Sequence, residues 1–166
     1  MKFQNVIEIQ GPTNDVFEFV ADMRNMPKWN YFVTGVTQEN GDGPKLGARY
    51  YQTRKTDRQR YEIIRYEPGQ SLTIKTIPGS SPIFEHHLRV ESVDNGTRLI
   101  DEMSLCTGYP GILERLVIGR IRRAVAENLG KLKELLEQGQ TQLQDGRDTY
   151  LASLDGAGAK QHIFQP

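Results

Sequence analysis

Residues 11–31 read GPTNDVFEFVADMRNMPKWNY, and the way this stretch breaks decides the fold. Thr13 or Asn14 can cap a helix, because their side-chain oxygens accept hydrogen bonds from its unpaired backbone amides. Val16, Phe17 and Val20 then fall at helical spacing on one face. Pro27 forbids a long continuation, so a second short helical turn follows, carrying the only tryptophan, Trp29. Ahead of this stretch Phe3, Asn5, Ile7 and Ile9 alternate as a strand does. The chain opens as a strand followed by a short split helix.

Beyond Trp29 the pattern turns to strands, predicted near 31–39, 47–55, 59–67, 71–78, 83–93 and 97–107. The clearest hairpin spans Val93 to Thr97, because Asn95-Gly96 supplies the positive φ angles of a type I′ turn. With that pair as the loop, Leu88 lies opposite Met103, Val90 opposite Asp101, Ser92 opposite Leu99 and His86 opposite Leu105. Most of these residues are apolar or small, which makes theirs the inward face. The turn at Glu67–Gln70 pairs Ile63 with Ile74 and Tyr61 with Thr76. The turn at Thr56–Gln59 puts Tyr50, Gln52 and Arg54 on the face that holds Tyr61 and Ile63.

Between Ile112 and Glu137 the period becomes helical. Leu113, Leu116, Val117, Ile121, Val125, Leu129, Leu132 and Leu136 recur at spacings of three and four. Such a helix is about 39 Å long at 1.5 Å per residue, enough to cross a curved sheet. Pro110-Gly111 marks its start and Gly139 its end. Residues 138–166 have few apolar anchors and read as a weakly packed tail with a short helix near 147–154. The domain proper is therefore 1–137.

Composition narrows the function. The 166 residues suffice for one domain with a sizeable core. Lys plus Arg and Asp plus Glu both number 21, whereas nucleic-acid-binding domains carry a basic excess, so no nucleic-acid partner is expected. Cys106 is the single cysteine, which excludes an intramolecular disulfide. Met1–Asn5 is too polar for a secretory leader, and no window approaches the roughly 18 apolar residues of a spanning helix. A cytoplasmic location is expected.

The run Val16 to Asp22 with Asn25, Pro27 and Trp29 resembles the opening signature of the polyketide cyclase/dehydratase and lipid-transfer superfamily. These START-like, birch-pollen-allergen-like proteins share the helix-grip fold. The Gly41–Gly47 loop is similar to their loop between strands two and three. The resemblance implies an α+β fold: a curved antiparallel sheet of about seven strands wrapped around a long C-terminal helix, with two short helices after the first strand. It implies a hollow between sheet and helix, and ligands such as lipids, sterols, quinones or polyketide chains. It carries no strict catalytic motif, so function has to be argued from the pocket.

His86 and Asp101 are polar residues on the inward face of adjacent strands. Burial without a partner would cost about 1–3 kcal/mol each, which a wet or ligand-filled cavity would explain. A histidine near neutrality can exchange a proton in aldol cyclisation or dehydration. Alternatively each bonds to a neighbour and only shapes the cavity. Their diagonal placement on the predicted ladder argues against direct contact. Tyr50, Tyr61 and Gln52 suit a pocket for an apolar ligand with one or two oxygens, or serve the sheet structurally. Ile63, Leu88, Met103, Val117 and Ile121 complete the expected lining, and Trp29 anchors the second helix, which the resemblance places at the cavity mouth. Gly119 and Gly130 are costly inside a helix and would leave room for ligand.

His86 and His87 point to opposite faces and cannot grip one ion, and no Cys/His cluster has ligand spacing, so no metal is expected. Phosphate-loop, dinucleotide and nucleophile-elbow spacings are also missing, and no cofactor is expected. Arg115, Arg120, Arg122 and Arg123 form a basic cluster that either touches an anionic membrane surface or is a solvated outer face. Three functions remain open: a binder of a hydrophobic small molecule for transport, storage or sensing; a cyclase/dehydratase using general acid–base chemistry; and an interaction protein with a vestigial cavity. Few inward titratable residues favour the binder.

Overall fold

The computed structural model describes the backbone of residues 2–106 and 111–151, and the side chains of these except 111–115. In chain order the elements are β1 (Lys2–Ile9), α1 (Thr13–Ala21), a 3-10 helix (Met23–Lys28), β2 (Val33–Gln38), β3 (Arg49–Arg54), β4 (Arg58–Glu67), β5 (Ser71–Thr76), β6 (Ile83–Val93), β7 (Gly96–Cys106), α2 (Gly111–Gln138), β8 (Gln140–Gln142) and β9 (Asp148–Tyr150). Strands β1 to β7 form one curved antiparallel sheet in the order β1-β7-β6-β5-β4-β3-β2. The first and last-placed strands, β1 and β2, are joined by the split helix. This is the helix-grip arrangement the sequence implies.

Local details depart from expectation in instructive ways. Neither Thr13 nor Asn14 caps α1. Pro12 occupies the cap with φ −61° and ψ 138°, and its carbonyl accepts the Val16 amide at 3.1 Å. The Thr13 hydroxyl instead meets that of Thr97 at 3.2 Å. The 3-10 helix is capped by Asp22, whose carboxylate accepts the Arg24 amide at 3.0 Å.

In the β6–β7 hairpin Val93 pairs with Gly96, so Leu88 faces Asp101 and His86 faces Met103. The loop is Asp94-Asn95, and among the described residues no non-glycine has a positive φ. Gly96 is needed for another reason: a Cβ there would sit 2.3 Å from the Ile9 carbonyl of β1. The slip is two residues, so every side chain keeps its expected face while its partner changes. The register at Ile63–Ile74 and Tyr61–Thr76 is as expected, reached through an irregularity between Ile63 and Arg65.

Helix α2 is gripped mainly by its C-terminal half. Leu129, Leu132 and Leu135 are fully buried, and the Glu137 carboxylate accepts the Gln10 amide at 2.7 Å. Leu116, expected in the apolar stripe, is exposed. The expected position of Leu113 and the side chain of Arg115 lie outside the described residues. Among the described residues no helix is long and apolar enough to cross a membrane.

The predicted helix near 147–154 is not formed within the described residues. Instead β8 and β9 pair as a hairpin that folds back on the domain. Leu143 is buried, Thr149 donates to the Lys28 carbonyl at 2.7 Å, and Arg147 donates to the Tyr31 carbonyl at 2.9 Å. Asp145 bridges to Lys55 at 2.8 Å and to Arg147 at 2.9 Å. Residues 152–166, the rest of the expected tail, lie outside the described residues.

The Asp145 carboxyl is held at about 2, below its usual 3.8, first by the Lys55 hydrogen bond and then by Arg147. A depressed carboxyl stabilises its ionised partners above the usual value, and that stabilisation is lost as pH falls from 3.8 to about 2. Amide NMR signals of 140–150 are expected to lose their folded positions in that window before those of β6 do. Asp145→Asn should show the same loosening at neutral pH. Hairpin and sheet signals moving together would contradict this.

Candidate functional site

A cavity of about 450 Å³ opens between the concave face of the sheet and the middle of α2. The 3-10 helix and the loop after it contribute Met26, Trp29, Asn30, Tyr31, Phe32 and Val33. The sheet contributes Gln52 and Arg54 from β3, Gln59 from β4, Ile74 from β5, Phe84 and His86 from β6, and Asp101, Met103 and Leu105 from β7, with Pro82 ahead of β6. Helix α2 closes the other side with Arg120, Ile121, Ala124, Val125 and Asn128.

Each inward-facing row divides at one level. Towards one end of the sheet its residues face the cavity, as Phe84 and Leu105 do. Towards the other, Leu72, Leu88 and Leu99 are buried in a core that also holds Val16, Phe17 and Val20 of α1. Tyr50, Tyr61, Ile63 and Leu88, all expected in the lining, belong to this covered part and do not line the cavity. Tyr50 and Tyr61 stack at 5.6 Å, and Tyr61 leans on Phe84 at 6.0 Å, so they form a layer behind the cavity wall. Burial pushes the Tyr50 hydroxyl up to about 12, with a lesser contribution from Asp22, and raises that of Tyr61 also. Phenols so placed stay neutral at physiological pH.

Trp29, Gln52, Met103 and Ile121 do line the cavity, together with His86 and Asp101. Val117 is half-buried and outside the wall. Gly119 is exposed on the outer face of α2, beside Leu116 and Arg123, and a Cβ there meets nothing within 4 Å. It therefore leaves no room for a ligand. Arg120, Arg122 and Arg123 are exposed. The Gly41–Gly47 loop is absent from the lining; Asp42 within it meets Arg24 at 3.3 Å.

The two-residue slip of β6 on β7 brings His86 and Asp101 together. Asp101 sits two residues along β7 from Met103, the residue opposite His86, a diagonal that long side chains can span. His86 Nε2 stands 3.1 Å from Asp101 Oδ2, with the side chains 6% and 2% exposed. The angle falls short of a well-formed hydrogen bond, so Nε2 and the other carboxylate oxygen, Oδ1, both lack a hydrogen-bonding partner among the described residues. Gln52 Oε1, across the same cavity, is likewise buried and unpartnered. The neighbouring Gln59 is satisfied, donating to the Pro82 carbonyl at 3.0 Å. Unpaired polar atoms in a buried wall are open to hydrogen-bonding partners within the cavity.

The mouth is braced from outside. Lys55 lies 5.0 Å over the Tyr31 ring and the Arg54 guanidinium 5.7 Å over Phe32. Asn128 donates to Asn30 at 3.1 Å, tying α2 to the loop, and Gln144 of the C-terminal hairpin donates to Asn128 at 3.3 Å. The sequence reading missed this loop because nothing periodic marks it. Phe84, Leu105, Ala124, Val125 and Asn128 were within reach: they continue the His86, Met103 and Ile121 rows at strand and helix spacing. Among the described residues no group of three or more His, Cys, Asp or Glu is placed to hold a metal.

Comparison with known proteins follows the same lines. The family model described as polyketide cyclase/dehydrase and lipid transport matches residues 1–137. The fold is similar to that of a protein of Deinococcus radiodurans, at 12% identity and a TM-score of 0.63, covering 84% of this chain and 98% of that one. It is also similar to the Aha1 dimer from Colwellia psychrerythraea in solution, at 14% identity and 0.63, covering 82% and 96%. DynU16, from the dynemicin biosynthetic locus, matches at 21% identity and 0.65, over 83% of this chain but 48% of its own. At such identities the likeness speaks for the fold alone. No curated protein sequence matches the chain.

Proposed function

This chain belongs to the polyketide cyclase/dehydrase and lipid transport family, and from that premise we propose that its 1–137 domain encloses a hydrophobic small molecule in the cavity under α2. The observation that carries this reading is the cavity itself, about 450 Å³ with a largely apolar wall and a few buried polar atoms facing it. Affinity would come mainly from apolar area removed from water, at about 25 cal/mol per Å², less the costs of ordering and desolvation. Trp29, Met103 and Ile121 supply part of that area, while His86 and Asp101 on one side and Gln52 on another meet the ligand's polar groups.

Native mass spectrometry of the purified protein tests this. A co-purifying apolar molecule of fixed mass, released on denaturation, is expected. A single bare mass, together with failure to take up any added naphthalene- or tetralin-sized probe, would overturn the reading.

A second reading rests on the His86–Asp101 pair. An imidazole against a buried carboxylate can take a proton from a carbon acidified by a neighbouring carbonyl, then return it to a departing hydroxyl as water leaves. The Asp101 carboxylate would stabilise the imidazolium formed in between. If turnover exists, His86→Ala and Asp101→Asn should lower it by 10²–10⁴-fold while changing affinity for an apolar ligand only modestly. Full activity in both variants would remove this assignment.

A further inference from the structure

The three buried atoms left without partners in the cavity wall are not chemically equivalent, and their identities select among ligands. Asp101 is 1% exposed and its free Oδ1 only accepts hydrogen bonds while ionised. Gln52 is 5% exposed and offers Oε1, also an acceptor. His86 Nε2 stands 3.1 Å from the other oxygen of Asp101, where a small ring rotation makes it that oxygen's donor. The wall therefore asks for donors. A ligand displacing solvent from it has to replace the hydrogen bonds that water would donate.

From this we infer that the site selects an apolar ring system with a hydroxyl end, a phenol, enol or alicyclic alcohol, over the same skeleton ending in a ketone or carboxylate. The inference rests on the binding reading above and narrows it. A quinone brings only acceptors and would leave Asp101 Oδ1 facing another lone pair. A carboxylate seated at Asp101 would place like charge against it; of the two cations in the lining, Arg54 is bonded to Asp57 at 2.6 Å and Arg120 is exposed on α2. A pure hydrocarbon would bury both acceptors unsatisfied.

The placement of the two acceptors adds a length. Gln52 lies on β3 and Asp101 on β7, four strand spacings apart in the sheet order. That is up to about 19 Å along the sheet at about 4.8 Å per strand, shortened across the cavity by curvature. Two acceptors on strands so placed ask for two donors. A carboxylate oxygen accepts a stronger hydrogen bond than an amide oxygen, so the first hydroxyl belongs at Asp101 and Gln52 takes a second donor on a longer ligand. Ile74 of β5 and Phe84 of β6 line the apolar wall between them, with Met103 and Leu105 beside Asp101 on β7. Exchange of the amide atoms of Gln52 would alter only the far station.

The test uses four probes on one skeleton: α-tetralol, α-tetralone, tetralin and tetralin carboxylate, titrated calorimetrically into the full-length protein. Tetralol is expected to bind at least about tenfold tighter than tetralone or tetralin, with the carboxylate weakest. In Asp101→Asn the side chain gains a donor, so the tetralol-to-tetralone ratio should fall to within about threefold or reverse. A thermal melt of each variant checks folding, and should Asp101→Asn fail to fold, the wild-type ratio alone decides. Equal binding of tetralol and tetralone by the wild-type protein overturns this inference while leaving the cavity reading intact. Failure of all four to bind overturns both.

Discussion

Gly96→Ala is expected to destabilise the fold by about 3 kcal/mol, among the largest effects of any single methyl added to this chain. Gly96 has φ +146°, and a Cβ there would lie 2.3 Å from the Ile9 carbonyl oxygen and 3.0 Å from Gln10 Cα. Both neighbours are backbone, so no flexible side chain can yield. The end of β1 would have to leave β7, loosening the Ile9–Thr97 pairing and the Thr97 hydroxyl's 2.9 Å bond to the Gly11 carbonyl. Urea unfolding followed by Trp29 fluorescence measures the loss. Gly119→Ala provides the contrast: it is helical, exposed and clear of neighbours within 4 Å, so it should stabilise by up to about 1 kcal/mol. Gly96→Ala melting like the wild type would show that β1 does not approach the β6–β7 turn as described.

Ile121→Trp is expected to lower affinity for tetralin-sized probes at least tenfold while leaving the midpoint of unfolding nearly unchanged. The two outcomes together separate a hollow from a packed interior. Forcing a larger side chain into a filled core usually costs about 1–3 kcal/mol through strained rotamers and backbone shifts. Ile121 is half-buried and faces the cavity from α2, so an indole there has vacant space to enter. Lost binding without lost stability is the signature of an occupied cavity. Retained binding would move the ligand elsewhere. A large drop in stability would mean that this interior has no room.

The strand and helix pattern was legible because each signal is local: alternation in β1 and β6, a helical stripe in α2, a proline that stops the first helix. Hairpin register was harder. Asn95-Gly96 carries the signature of a two-residue turn, yet Gly96 is required by contact with β1, which no local window contains. The slip of two residues changed the meaning of His86 and Asp101 from separate polar positions to a pair at 3.1 Å. Tyr50, Tyr61 and Ile63 were correctly placed on the inward face. Which part of that face is covered and which stays open depends on tertiary packing around α1, and alternation cannot express that. The C-terminal hairpin escaped notice because its strands are three residues each and polar, held by bonds from Arg147, Thr149 and Asp145 rather than by an apolar pattern.

The central claim is that the space between β3–β7 and α2 is where this protein holds a small molecule. Methyl-detected NMR during a titration with α-tetralol tests it most directly, since Met103, Ile74, Leu105 and Ile121 surround the cavity while Leu72, Leu99 and Leu132 are buried outside its lining. The account predicts saturable shifts concentrated in the first group, with the second nearly still. Shifts centred on the second group, or on the exposed Leu116 face of α2, would contradict it.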